Sequence, residues 1–394
     1  MKTILILGAG FLQSFVIRKA KEIGYRVLTV DKDPKAPGFD YADKYAVIDI
    51  VDQDACLLYA QHHHVDGVIT AATDYGVLSA AYIAAKMNLP GLKYDVAKVI
   101  KNKFLVRRLL ASAFRGNTQF FEISNLSELD NIIGMIRYPV MIKPCDGSGS
   151  KGTVRVDNSE DLLAACQEAQ RNSVTGKVLI EDFVFGTEYG VESFVYQGQV
   201  HVMGILGKNM TPPPIYAELG HFYPSQLPTE PYIEEVVKTA IRSLGINFGA
   251  VNMDIIVGPN GQVTIIDIGA RMGGNLIGSH IIPLGTGVDY MGNLIRATVG
   301  DPIRLDPICS AKNVATRLLA LTPGEVALLP DFEAIGVKHG VRIYSNLKTG
   351  DMICPYRTNL DGCGYVLAVA SDVYEARKMV NEALLEIDAA IERR

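Results

Sequence analysis

The sequence predicts an α/β and α+β protein, with a parallel α/β unit, a larger α+β region and a small C-terminal α+β unit. Three observations carry that prediction. Residues 1–100 alternate short β-branched runs with helical patterns, as parallel strands with crossover helices do. Residues 138–153 join a β-rich run carrying Lys143 to a loop containing Gly147, Gly149, Gly152 and a second cation, Lys151. Residues 249–274 read as a β-hairpin whose apolar arms are each interrupted by an aspartate, Asp254 and Asp267.

In chain order, the first unit reads as strands at 4–7, 26–30, 44–48, 67–69 and 89–90, with helices at 11–23, 52–62 and 75–87. A helical stretch runs from Ala97 through Lys103, and a short strand follows at Phe120. A helix over 126–136 is ended by Pro139. After the Lys143 strand and its glycine loop come a strand at 153–156, a helix at 159–170 and a strand from Lys177 into a linker. The runs 187–196 and 199–206 flank a Gln197-Gly198 turn. Residues 207–229, with Pro212-Pro-Pro, read as one long loop, a length usual in functional lids. A helix at 230–244 precedes the aspartate hairpin, and another at 287–298 is stopped by Gly300. Beyond Asp301-Pro302 come strands near 314–321, 341–344 and 365–370 and a final helix over 372–392.

Composition narrows the function. A chain of 394 residues that is 48% apolar can bury two or three cores. Net charge of −5 with dispersed Lys and Arg argues against a nucleic-acid surface. The six cysteines show no metal spacing and read as reduced thiols of a cytoplasmic protein. The apolar start runs into Gly-Ala-Gly and an amphipathic helix, a β-turn-α unit rather than an export signal, and no apolar stretch reaches transmembrane length. Gly8-Ala-Gly with Asp31 partly matches a dinucleotide fingerprint, but Gln13 stands where a small residue belongs. His62, His63 and His64 read as a solvated helix end, because consecutive side chains point apart.

The two distal segments suggest phosphate chemistry. Lysines on a strand, with glycines whose backbone closes around oxygens, suit a polyphosphate, and the spacing is not that of a Walker A loop. If the later hairpin closes around Pro259 and Asn260, Asp254 pairs opposite Asp267. Paired carboxylates repel, and Mg²⁺ bridging them to substrate phosphates removes that cost. Asp267 leads into a glycine-rich loop carrying Arg271.

In these elements the chain resembles the ATP-grasp ligases along nearly its whole length, and most closely the L-amino acid ligases, with biotin carboxylase and carbamoyl-phosphate synthase further off. The resemblance implies a Rossmann-like pre-ATP-grasp domain at 1–100, an ATP-grasp domain at 101–300 with a flap-bearing subdomain at 120–185, and a C-terminal α+β domain at 301–394. It implies ATP and Mg²⁺ as cofactors, with Mn²⁺ as a substitute. Lys103, Lys143 and the flap residues Gly147, Ser148, Gly149, Ser150 and Gly152 would meet the phosphates. Glu181, Asp182, Phe183 and Val184 would meet adenine, and Glu188 the ribose. Asp254 and Asp267 match the metal carboxylates, and Arg271 the arginine that faces the acyl phosphate or substrate carboxylate. The chain departs from the family pattern Glu-x-Asn-x-Arg, having Gly269 where asparagine supplies a ligand; water, Asn275 or another residue would fill the place, or one metal site is weaker. Asp146 and Ser148 are also atypical for the flap.

By the same resemblance, Gly273, Gly274 and Asn275 line an acceptor pocket, Glu218 binds a substrate ammonium, and His221 orients or deprotonates the attacking amine. The function implied is a carboxylate–amine ligase acting through an acyl phosphate on small-molecule acids and amines, with no nucleic-acid or membrane partner. A homodimer stays open. The alternatives are a carboxylase or carbamoyl-phosphate-type enzyme that activates bicarbonate, and a non-catalytic nucleotide-binding protein. No compelling Ser-His-Asp or Cys-His arrangement competes. Because water destroys an acyl phosphate, the flap at 146–153 and the lid at 208–228 are expected to order as substrates bind.

Overall fold

The computed structural model describes all residues except 115–117, 148, 150, 214 and 228. Ser148 and Ser150 therefore lie outside the described residues. The strands Lys44–Val47, Arg26–Asp31, Thr3–Leu7 and Gly67–Thr70 form a parallel sheet in that order. Residues 89–90 form no strand. Asn88 turns left-handed at φ 55° and Leu89 N–H donates to Ala84 O, so this segment closes the helix Val77–Met87 instead. The glycine turn at residues 8–10 is filled by Gln13. A Cβ on Gly10 would lie 2.9 Å from its Oε1, and its Nε2 donates to Ala71 O. Asp31 accepts from Ala9 N–H, so the fingerprint positions hold the turn itself.

Two helices, Tyr94–Lys101 and Lys103–Phe114, replace one, because Asn102 has extended backbone and caps Leu105 N–H. Lys103 N–H donates to Cys145 O, which ties the second helix to the end of the Lys143 strand. The flap-bearing sheet is antiparallel, in the order Phe120–Ile123, Val178–Asp182, Val140–Pro144, Val154–Val156. The expected helix at 126–136 is three short helical turns; Gly134 weakens its last part.

The largest sheet has eight strands: Val263–Gly269, Gly249–Val257, Thr187–Tyr196, Gln199–Met210, Glu218–Tyr223, Asn313–Leu318, Gly364–Ala370 and Val341–Ser345. It runs unbroken from the aspartate hairpin into the C-terminal strands. Its fifth strand corrects the long-loop reading of 207–229. Gln199–Met210 extends further than expected, and Glu218–Tyr223 pairs with it and with Asn313–Leu318. Glycine permits this. A Cβ on Gly220 would lie 2.2 Å from Thr316 O, and one on Gly207 about as close to the Phe222 ring, at 2.0 Å. Helix Val373–Ala390, capped by Asp372, packs on the C-terminal strands. All six cysteines are free thiols. Among the described residues no helix is long and apolar enough to cross a membrane.

Candidate active site

A cavity of about 430 Å³ opens between the flap-bearing sheet and the eight-stranded sheet. Lys103, Lys143, Gly147, Gly149, Glu181, Asp182, Phe183, Val184, Glu188, Glu218, Asp254, Asp267, Arg271, Gly274 and Asn275 all line it. Residues distant in sequence thus meet on one surface. Gly152 and Gly273 stand behind the wall, each where a Cβ would crowd a neighbour, Asn172 at 2.9 Å and Glu192 Oε2 at 2.7 Å.

One wall is built on Glu181. Its carboxylate accepts from Lys143 Nζ at 2.7 Å and from Arg107 Nε at 2.5 Å. Burial alone would raise its pKa, but the two cations overcome that and hold it at about 2. The carboxylate is thus fully engaged within the wall. Asp182 accepts from Gln119 N–H and Arg137, and Phe183 stacks beneath the Arg155 guanidinium at 4.5 Å. Arg107 escaped sequence reasoning. Its signal was an arginine one helical turn beyond Lys103 on the face that carries Val106 and Leu110 inward.

The opposite wall is acidic and centres on Lys208. Its Nζ, on a side chain only 1% exposed, donates to Glu188 at 2.8 Å and lies 2.6 Å from both Glu218 and Asp254. Burial pushes the Asp254 pKa up and Lys208 pulls it back, and the neighbouring Glu218 and Glu188 leave it raised, at about 6. Glu218 is held well below the usual carboxylate range, because Lys208 and His221 outweigh its burial. Glu188, assigned to the ribose by resemblance, belongs to this acidic group.

Asp254 does pair opposite Asp267 in register, and a bulge follows at Ile266. The two carboxylates nevertheless answer to different cations, since Asp267 accepts from Lys103 Nζ at 2.5 Å. Burial would raise Asp267, and Lys103 turns the shift downward. Glu188, Glu218 and Asp254 offer oxygens within 4.8 Å of one another. Net of Lys208 they keep two excess negative charges, which fits a hard divalent cation. Asp267 stands outside that group.

Asp74 and Arg271 fill the space left by Gly269. A Cβ there would lie 2.9 Å from Asp74 Oδ1 and 3.2 Å from Arg271 Cζ. Arg271 donates to both oxygens of Asp74, at 2.8 and 3.1 Å, and to Asn252 Oδ1. Asn275 does not substitute for the missing side chain; it donates to Glu218 and accepts from Tyr365. The Arg271 loop rests on buried Glu192, which accepts from Gly273 N–H, Tyr290 OH and Asn252 Nδ2. Asn275 and Leu276 both take positive φ, and a π-helical turn, Ile277–Ile281, follows.

The structure corrects the role expected of His221. It is fully buried, absent from the cavity lining, and neither ring nitrogen has a hydrogen-bond partner. Its Nε2 lies 3.7 Å from Glu218, behind the carboxylate rather than beside a substrate. The C-terminal strands and loops supply an unexpected roof of Asn359, Leu360 and Tyr365. The Asn359 amide bonds Glu218 twice, receiving its backbone N–H and donating to its carboxylate.

Residues 136–279 match the model of the ATP-grasp domain. This segment is an ATP-grasp domain. The whole chain shares its overall fold with an L-amino acid ligase from Bacillus licheniformis at a TM-score of 0.85 and 22% identity, covering 98% of both chains. An uncharacterised protein, y4rH, of Sinorhizobium fredii is 26% identical over 334 residues, 82% of this chain and 68% of that one. The formate-dependent phosphoribosylglycinamide formyltransferase of Methanocaldococcus jannaschii is 28% identical over 184 residues, 46% of this chain and 47% of that enzyme. That match thus spans about half the enzyme's length.

Proposed function

We propose that this ATP-grasp protein is an ATP-dependent carboxylate–amine ligase. It would activate a small carboxylic acid, an amino acid or close analogue, as an acyl phosphate and couple it to an amine, releasing ADP and phosphate. The observation that carries this reading is the joining of a cationic wall, an acidic wall and the Arg271 loop around one cavity. The likeness in fold to an L-amino acid ligase supports the substrate class.

In this reading a carboxylate oxygen attacks the γ-phosphorus and ADP leaves. The amine then attacks the acyl carbon, phosphate leaves, and the nitrogen loses a proton. Neither step needs a covalent nucleophile from the protein; both need positioned charge. Lys143 and Lys103 would meet the phosphates. Because the Glu181 carboxylate is committed to Arg107 and Lys143, the backbone of residues 181–184 would meet adenine. Asp254, Glu188 and Glu218, with Asp267 nearby, would hold Mg²⁺ or Mn²⁺. The bound cation would supply charge neutralisation of the transferring phosphoryl group. Arg271 would orient the substrate carboxylate and Glu218 an ammonium, with His221 positioning Glu218 from behind.

A screen of all amino-acid pairs for ATP-dependent phosphate release, with mass spectrometry of products, tests the reading. A dipeptide or related amide is the expected product, and Lys143→Ala should lower the rate roughly 10²-fold. Turnover with bicarbonate alone would move the protein to the carboxylase branch.

A further inference from the structure

Lys101 is a cation that no part of the proposed reaction uses. It ends the helix Tyr94–Lys101, its Nζ is buried, and among the described residues it has no hydrogen-bond partner. Its Nζ lies 5.0 Å from the centroid of the Tyr75 ring. It lines a small cavity of about 50 Å³ that shares Lys103, Gly147, Arg271 and the three aspartates Asp74, Asp254 and Asp267 with the main one. Two of the three cations there are matched: Lys103 by Asp267 and Arg271 by Asp74. Lys101 is not. Desolvation pushes its pKa down, with Asp74, Asp146 and Asp267 only partly offsetting the burial and Lys103 adding repulsion. A buried ammonium that no carboxylate bonds directly is costly, and an anionic oxygen group brought by a ligand would remove that cost.

We propose that Lys101 is the receiving charge of an anion subsite opening off the main cavity. The subsite takes a carboxylate or phosphate group of the substrate, distinct from the phosphates of ATP. The size of the small cavity suits one such group and not a second nucleotide. This inference rests on the ligase reading for its place in the reaction, and it implies a substrate bearing an anionic group beyond the carboxylate being activated.

The test uses the full chain saturated with Mg²⁺ and β,γ-methylene ATP, so that the nucleotide's own phosphates are in place. Malonate and inorganic phosphate are then titrated by calorimetry. Wild type should bind at least one of them. Lys101→Met should weaken that binding tenfold or more, Lys101→Arg should restore most of it, and affinity for the analogue should stay within twofold. Tighter malonate would assign the subsite to a carboxylate, and tighter phosphate to a phosphorylated substrate. Unchanged anion binding in Lys101→Met, or no anion binding by wild type, would overturn the proposal. So would an equal loss of analogue affinity, which would make Lys101 a nucleotide contact. Should Lys101→Met fail to fold, Lys101→Gln carries the same comparison. If wild type does not bind the analogue, the nucleotide reading fails, and anion binding to the free chain still tests the subsite.

Discussion

The two walls of the cavity are electrostatic opposites. Around Glu181, one buried carboxylate serves two cations, Lys143 and Arg107; around Lys208, one buried ammonium serves three carboxylates, Glu188, Glu218 and Asp254. Each centre is paired well enough to be buried, and each leaves charge over. The first has an excess of positive charge suited to phosphate oxygens. The second has an excess of negative charge suited to a divalent cation. A protein that only needed stability would match its charges or replace them with apolar groups. The opposite residual charges are what ATP with Mg²⁺ would complete.

Removing Lys208 should have the largest effect. Lys208→Met strands three buried carboxylates, and breaking such a group costs about 3–5 kcal/mol. Thermal unfolding should show a marked fall in Tm, partly restored by Mg²⁺ and more so than in wild type. An unchanged Tm would mean that Lys208 is not the charge holding this wall.

A pH series separates Glu181 from Glu192, the buried acid under the Arg271 loop. Glu181 is held at about 2 against an ordinary 4.5, so its stabilisation is present above pH 4.5 and lost as pH falls toward 2. Glu192 is pushed by burial to about 7, so its contribution is present below pH 4.5 and lost as pH rises toward 7. Each shift corresponds to roughly 3 kcal/mol. Glu181→Gln should flatten the acid limb of the stability profile and Glu192→Gln the limb approaching neutrality. The same change in both variants would erase the contrast.

A smaller effect is expected at Gly269. The asparagine that the family pattern carries would collide there with Asp74, so Gly269→Asn should destabilise by about 1–3 kcal/mol. It should also disturb Arg271 rather than improve metal binding. Tighter Mn²⁺ binding in calorimetry with an undiminished Tm would show that the Asp74–Arg271 pair yields easily.

Much of this was legible in the sequence where local pattern and turn chemistry decide. The flap hairpin announces itself through Gly147, Gly149 and Gly152, and the opposition of Asp254 and Asp267 follows from the turn at Pro259 and Asn260. The strand Glu218–Tyr223 was hidden because Pro212-Pro-Pro dominates its neighbourhood and its partners lie elsewhere in the chain. For the same reason His221 looked available to solvent. Lys208 falls at the start of the segment read as a loop and Arg107 stands beside a second arginine, Arg108, so only packing between distant elements assigns their partners. The roof of Asn359 and Tyr365 depends on the eight-stranded sheet continuing past residue 300, where composition suggests a new unit.

In the proposed reaction the two walls together drive phosphoryl transfer to a carboxylate. Hydroxylamine offered as the amine, with Mg²⁺, ATP and a panel of amino acids and small carboxylic acids, tests this directly, because it traps an acyl phosphate as a stable hydroxamate. Chromatography of nucleotides beside the hydroxamate measurement should show ADP and hydroxamate rising together in equal amounts with the correct acid, and neither with Lys143→Ala. Formation of AMP and pyrophosphate, with hydroxamate tracking AMP, would contradict the account.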